Sequence, residues 1–217
     1  RPLSEQELEP LRDKVRRRAA GVPLQHLMGT VEFHGRVFAS DTRALIPRPE
    51  TEYLVELILK EPLPEAPALL DVGTGSGVIA LTLAAERPSA QVTAVDLSEE
   101  ALSLARENAA RLGLAERVTF RQGDLLEGVT EPFHAIVANL PYVSQQEMEE
   151  VSREVRHDPV LALVGGESGM EIIVRLIAQA RERLHPGGLL ALEIGHRQAE
   201  ALSEELARQN YRDIRAI

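Results

Sequence analysis

The sequence predicts an α/β fold: a mostly parallel, twisted sheet with helices on both faces, preceded by a helix and a β-hairpin. Two observations carry this. From Ala68 onward, short and nearly continuous apolar runs alternate with amphipathic stretches, the pattern of strands buried on both faces by crossover helices. The first of these runs, Leu69-Leu70-Asp71-Val72, feeds directly into Gly73-Thr74-Gly75-Ser76-Gly77, whose small residues suit a sharp strand-to-helix turn. A chain of 217 residues that is 44% hydrophobic can bury one substantial core, and with no Trp it must build that core mainly from Leu, Val, Ile and Ala.

Taken in order, Ser4 and Glu7 form a capping-box signature, and Leu8, Leu11 and Val15 follow at helical spacing. Gly21 and Pro23 end that helix. Val31-Glu32-Phe33 and Arg36-Val37-Phe38 flank His34-Gly35 as a short hairpin. A helix bearing Leu54, Val55, Leu57 and Ile58 follows Pro49, and the proline-rich 61–67 is a linker. Strands are then predicted at 68–72, 91–95, 117–121, 134–138 and 189–194. Helices are predicted at 77–86, 98–112, 169–184 and 197–209, and 211–217 reads as the start of one more strand. The chain has no starting Met and opens inside a helix, which reads as a piece of a longer protein.

The net charge of −10 argues against a broad phosphate-binding surface and so against direct nucleic-acid binding. Arg16-Arg17-Arg18 reads as a solvated helix face. With no Cys, disulfides and thiolate metal sites are excluded, and no metal is expected. No apolar run is long enough to span a bilayer and nothing resembles a signal peptide, so a cytoplasmic monomer free of membrane is the expectation.

Two motifs carry chemistry. The spacing G-x-G-x-G, preceded by Asp71 within the strand, differs from the G-x-G-x-x-G of dinucleotide sites. It suits a ligand with an amino-acid tail, whose ammonium wants an acidic or carbonyl partner. The helix starting near Gly77 would aim free N–H groups at that ligand. The next strand ends in Asp96, placed to take two ribose hydroxyls, and Gly123-Asp124-Leu125 follows the third strand, where an adenine amino group would lie. Asp124 reads almost as well as a helix N-cap. The second motif is Asn139-Leu140-Pro141-Tyr142, directly after the fourth strand, at the sheet edge where α/β proteins bind ligands. The Asn139 side-chain oxygen and the Leu140 carbonyl can accept the two hydrogens of one NH2 group, and Tyr142 offers a flat apolar face. Asn-x-Pro is also good turn chemistry. Together the motifs point to methyl transfer from S-adenosylmethionine to an amide or amino nitrogen.

On these residues the chain resembles the release-factor glutamine methyltransferase family. Leu45-Ile46-Pro47-Arg48-Pro49-Glu50-Thr51-Glu52 is similar to that family's signature segment, Asp71–Gly77 to its cofactor loop, and Asn139–Tyr142 to its Asn-Pro-Pro-Tyr clamp, with Leu140 in place of the first Pro. Glu154-Val155, Asp158-Pro159, Ala162-Leu163 and Gly165-Gly166 resemble the segment after the clamp. The resemblance implies a Rossmann-like, class I S-adenosylmethionine-dependent methyltransferase that modifies N5 of the glutamine in the Gly-Gly-Gln loop of peptide-chain release factors. By carry-over, Asp71, Gly73, Thr74, Gly75, Ser76, Gly77, Asp96, Asp124, Leu125 and Asn139 bind the cofactor, and Asn139, Leu140, Pro141 and Tyr142 hold the glutamine. Residues 1–28 would be the remnant of an N-terminal helical docking domain, 29–67 the hairpin, helix and linker, and 68–217 the catalytic domain, cut short at its C-terminal end. A glutamine methyltransferase acting on a ribosomal protein, an N6-adenine or N2-guanine methyltransferase and an inactive cofactor-binding module remain the alternatives.

Overall fold

The computed structural model describes residues 4–217. Helix α1 (Glu5–Ala19) begins with the predicted reciprocal capping box between Ser4 and Glu7, yet buries none of its side chains. A single turn, α2 (Leu24–Met28), leads into a hairpin of β1 (Thr30–Phe33) and β2 (Arg36–Ala39). His34 and Gly35 both take positive φ, at 48° and 71°, which matches the right-handed twist of the flanking strands. Phe33 and Phe38 stack edge to face at 6.1 Å and are fully buried. Each contributes roughly 1.5–3 kcal/mol by leaving water. Helix α3 (Pro49–Lys60) starts with Pro at its first position, where the missing N–H is not needed.

The sheet contains β3 (Ala68–Val72), β4 (Gln91–Asp96), β5 (Val118–Gln122), β6 (Phe133–Asn139) and β9 (Leu184–Glu193). It is all parallel, in the order β5-β4-β3-β6-β9. Helices α4 (Val78–Glu86), α5 (Glu99–Arg111), α6 (Glu171–Ala180) and α7 (Ala199–Arg208) complete the alternation. Side chains alternate along the strands. Leu69, Ala135 and Val137 join the hairpin, α3 and α4 on one face, while Leu70, Val72, Ile136 and Ala138 join α6 and α7 on the other. Helix α4 is buried all round from Val78 to Ala84, so it shows no amphipathic stripe.

Two expectations are corrected and one element is unforeseen. Strand β9 begins at Leu184, not 189, because His185–Gly188 form an irregularity that takes the pairing from Phe133↔Leu184 to Ala135↔Leu189; α6 accordingly stops at Ala180. Residues 211–217 form no strand: the Tyr211 hydroxyl donates to the Ile177 carbonyl at 2.8 Å and Arg215 pairs with Glu61. After the clamp, β7 (Val143–Ser144) and β8 (Val164–Gly166) pair in a short parallel ribbon that the sequence did not announce. No helix among the described residues is long and apolar enough to cross a membrane.

Candidate active site

The chain runs outward from β3 through β4 to β5, then returns to the opposite side of β3 to lay down β6. Where strand order reverses, connecting loops diverge and leave a crevice at the carboxyl ends of the strands. Both motifs open there. Val72 pairs with Ala138, so Gly73 and Asn139 leave adjacent strands side by side. A Cβ placed on Gly73 would come within 2.8 Å of Leu140 Cδ2, so this glycine admits the clamp as well as the turn.

A cavity of about 360 Å3 occupies the crevice, lined by the glycine loop, Asp96, Asp124, Leu125 and Asn139–Pro141. A second cavity of about 220 Å3 lies beyond the clamp, and Tyr142, Val143 and Val155 join its wall. Leu45, Arg48, Asn139, Leu140, Pro141 and Ala162 line both. Clamp and signature segment together form the partition.

The N–H groups of Gly73 and Thr74 donate to the Val95 carbonyl, pinning the loop to β4. At Gly75 φ is +56°, and a Cβ there would meet only Ala44, at 3.9 Å, so the position faces open space over the cavity. Gly77 instead is packed: a Cβ would press on Ala105 and Leu81 at 3.1 Å. The open cradle at Gly75 beside the Asp96 carboxylate fits a nucleoside with an extended tail. Asp96 Oδ2 accepts from the Gly75 N–H at 2.8 Å and Oδ1 from the Ser98 N–H at 2.9 Å, which orients both oxygens. Burial raises its pKa, and those N–H groups pull it back.

Asp71 departs from its expected place. It is wholly buried beneath the loop and does not line the cavity. Its Oδ2 accepts from the Thr74 hydroxyl at 2.6 Å and the Ala80 N–H at 3.1 Å, so it caps α4 from below. One of the N–H groups expected to face the ligand is thereby taken. Desolvation pushes the Asp71 carboxyl up to about 7. Thr74 and Ser76 are nearly buried, and the Ser76 carbonyl accepts from Asn108, which also exchanges both hydrogen bonds with Ala39. That hub, joining loop to hairpin, was not anticipated. Asp124 stands on the cavity wall, paired with Arg175 at 2.7 Å; a turn follows it, not a helix, so it is no N-cap. Leu125 adopts φ +55° beside it.

The clamp is held from behind. Gln198 donates to the carbonyls of Tyr142 and Gly169, and a Cβ on Gly165 would collide with the Pro141 carbonyl. The signature segment closes the other side: fully buried Asp158 accepts from the Ile46 N–H at 3.2 Å and from Arg48 at 2.6 Å. Thr51, in the first turn of α3, receives a hydrogen bond from Asn139 Nδ2 at 3.0 Å and donates to Glu193 at 2.7 Å. Burial raises the pKa of Glu193, and the Thr51 hydrogen bond offsets part of this; burial and the nearby Glu193 charge raise that of Tyr142. Sequence reasoning marked Thr51 only as part of a segment and passed over Glu193, whose visible signal was an acid ending a strand.

The methyltransferase small domain model matches residues 48–163, more than half of the chain. A release factor glutamine methyltransferase of Deinococcus radiodurans is 53% identical over 195 residues, 89% of this chain and 69% of that protein. One from Koribacter versatilis is 46% identical over 209 residues, 94% and 74% of the two chains. Among solved structures, a ribosomal protein L11 methylase from Lactobacillus delbrueckii superposes with a TM-score of 0.60 at 25% identity, covering 79% of this chain and 76% of that one. With the cavities, the loop and the clamp arranged as they are, this chain belongs to the release factor glutamine methyltransferase family.

Proposed function

We propose that this protein transfers a methyl group from S-adenosylmethionine to the side-chain amide nitrogen of the glutamine in the Gly-Gly-Gln loop of peptide-chain release factors, acting in the cytoplasm as a monomer. The observation that carries the reading is the shared wall: a nucleoside-sized cavity and a smaller one meet at Asn139–Pro141. When bound, the cofactor supplies an electrophilic methyl on a sulfonium. Asp96 would hold the ribose, the Gly73–Gly77 backbone the tail, and Asp124 and Leu125 the adenine. Asn139 Oδ1 and the Leu140 carbonyl take the two amide hydrogens and hold the lone pair toward the methyl donor. In the transfer the N–CH3 bond would form as the S–CH3 bond breaks, leaving a neutral thioether, and the target nitrogen would lose one N–H proton to water. Because an amide lone pair is delocalised, the two acceptors act by favouring a pyramidal nitrogen as positive charge develops on it.

The relatives named as release factor methyltransferases reach 53% identity, against 25% for the ribosomal-protein methylase, which favours the release-factor substrate. A chain of charge −10 is poorly suited to a phosphate backbone. The test is methyl incorporation from labelled cofactor into three substrates: a release factor, its Gln→Glu variant and mixed nucleic acid. We expect label only in the first, since a glutamate brings no N–H and sets a negative charge against two oxygen acceptors. Labelling of nucleic acid with none on release factor would overturn the reading.

A further inference from the structure

The Asn139 side chain has two faces with opposite chemistry, a carbonyl that accepts and an amide that donates. Only the carbonyl can receive a hydrogen from a target NH2. A half-turn about the last side-chain bond would exchange the two at almost no steric cost, setting donor against donor. Something must hold the side chain the right way round.

We infer that Thr51 and Glu193 are positioning residues that set the direction of the Asn139 amide, a reading that rests on the proposed glutamine methyltransferase activity. The three residues come from the first turn of α3 and the ends of β6 and β9, where Asn139 and Glu193 are register partners on adjacent strands. An ionised carboxylate only accepts, so Glu193 Oε2 takes the single hydrogen of the Thr51 hydroxyl at 2.7 Å. With its hydrogen committed, Thr51 Oγ1 can only accept, and it accepts from Asn139 Nδ2 at 3.0 Å. That leaves Asn139 Oδ1 to face the cavities. Thr51 is 2% exposed, so water does not substitute easily in the middle of the chain. A network of this kind runs one way only because its last member cannot donate.

Glu193 is the member that titrates. Facing it are Glu50 and Arg48 from the start of α3, Tyr142 from the clamp and Asn139 from β6. A protonated Glu193 could donate to Thr51, and the chain would lose its fixed direction. The net effect of its surroundings is a pKa above the ordinary glutamate value, with burial the main cause. Turnover should therefore fall as pH drops through that raised value, an acid limb set above the range of an exposed glutamate.

The experiment uses the full chain, saturating S-adenosylmethionine and a Gly-Gly-Gln peptide. Thr51→Val and Glu193→Gln should each lower kcat by about tenfold to a hundredfold, the range seen when outer hydrogen-bond partners of a ligating side chain are removed. Cofactor Kd should stay within about threefold, a change of under 1 kcal/mol. Thr51→Ser should recover most of the kcat lost in Thr51→Val. Glu193→Gln should also lack the acid limb, and the double variant should be little worse than either single one, because all act through one chain. Equal losses of cofactor affinity and kcat, or failure of Thr51→Ser to restore activity, would mean that Thr51 is merely structural. Additive losses would overturn the chain. A wild-type protein inactive on glutamine would refute the proposed function instead. The orientation would still be read from the side-chain amide resonances of 15N-labelled Asn139, identified by their loss in Asn139→Asp. Those resonances should show one slowly exchanging proton that becomes fast in Thr51→Val, and an unchanged pattern would refute the inference.

Discussion

Two aspartates beside the glycine loop, Asp71 in β3 and Asp96 at the end of β4, do different work, and substitution should separate them. Asp96 stands on the cavity wall with both oxygens aimed by backbone N–H groups. Asp96→Ala should weaken S-adenosylmethionine binding by about 1–3 kcal/mol, the scale of a charge-assisted hydrogen bond, as calorimetry would show. Asp71 is sealed below, with Oδ1 unpartnered and its carboxyl pushed up to about 7. Asn is the isostere of its protonated form: one oxygen for Thr74 and Ala80, and an NH2 where Oδ1 stands. Asp71→Asn should therefore change cofactor affinity far less than Asp96→Ala. The sign for stability follows from proton uptake. Between the unfolded carboxylate value near 4 and about 7, the folded state binds a proton that the unfolded state does not, so this group makes stability decline as pH rises across that window. Denaturant midpoints measured from pH 4.5 to 7.5 should fall less steeply in Asp71→Asn. An unchanged slope would show that Asp71 is ionised throughout.

At the scale of elements, the signature segment matters as a splint. Asp158 ties segment 45–48 to the chain beyond the clamp, across 110 residues or more of sequence. Removing it leaves the buried Ile46 N–H unpaired and Arg48 without its carboxylate. Asp158→Ala should cost about 1–3 kcal/mol in urea denaturation. It should also lower turnover, because Arg48 begins the helix that carries Thr51; loss of stability with full turnover would detach the splint from catalysis. The β3, β4 and β6 strands were legible to within about a residue because buried parallel strands are written as unbroken apolar runs. What stayed hidden depended on partners far away in the chain. His185-Pro186-Gly187-Gly188 looks like a terminator, and only the neighbouring strand at His134 shows that β9 starts before it. Glu193 looks like any charged strand end until Thr51, 142 residues away in sequence, is set beside it. The glycines were visible but their reasons were mixed: Gly75 leaves room for a ligand, whereas Gly73 and Gly77 leave room for Leu140 and Ala105.

For the molecule as a whole, α1 is the outlier. It buries nothing, its Arg16 pairs with Glu9 and Asp13 of its own helix, and its tie to the rest includes the exposed Arg18–Glu154 pair at 2.7 Å. Exposed pairs of this kind contribute up to about 1 kcal/mol. Deleting residues 1–20 should thus shift the unfolding free energy by no more than about 1 kcal/mol and leave methylation of a short Gly-Gly-Gln peptide nearly intact. If α1 helps to grip the body of a release factor, kcat/KM on the intact protein should fall, since remote contacts stabilise the transition state without touching the reacting amide. Equal kcat/KM on intact release factor before and after the deletion would deny α1 that role.

Under the proposed function the clamp carries an optical reporter of its own. The chain has no Trp and three Tyr, so its near-ultraviolet absorption is almost wholly tyrosine. Tyr53 is half exposed on α3, and the Tyr211 hydroxyl is engaged with a backbone carbonyl of α6. Tyr142 is the one tyrosine on the wall of either cavity, held near the charge of Glu193. An amide seated against its ring would replace solvent on one face of a single chromophore in an otherwise quiet spectrum. Arrival of the target glutamine should then shift the near-ultraviolet difference spectrum of the unlabelled protein, separately from the transfer of the methyl group.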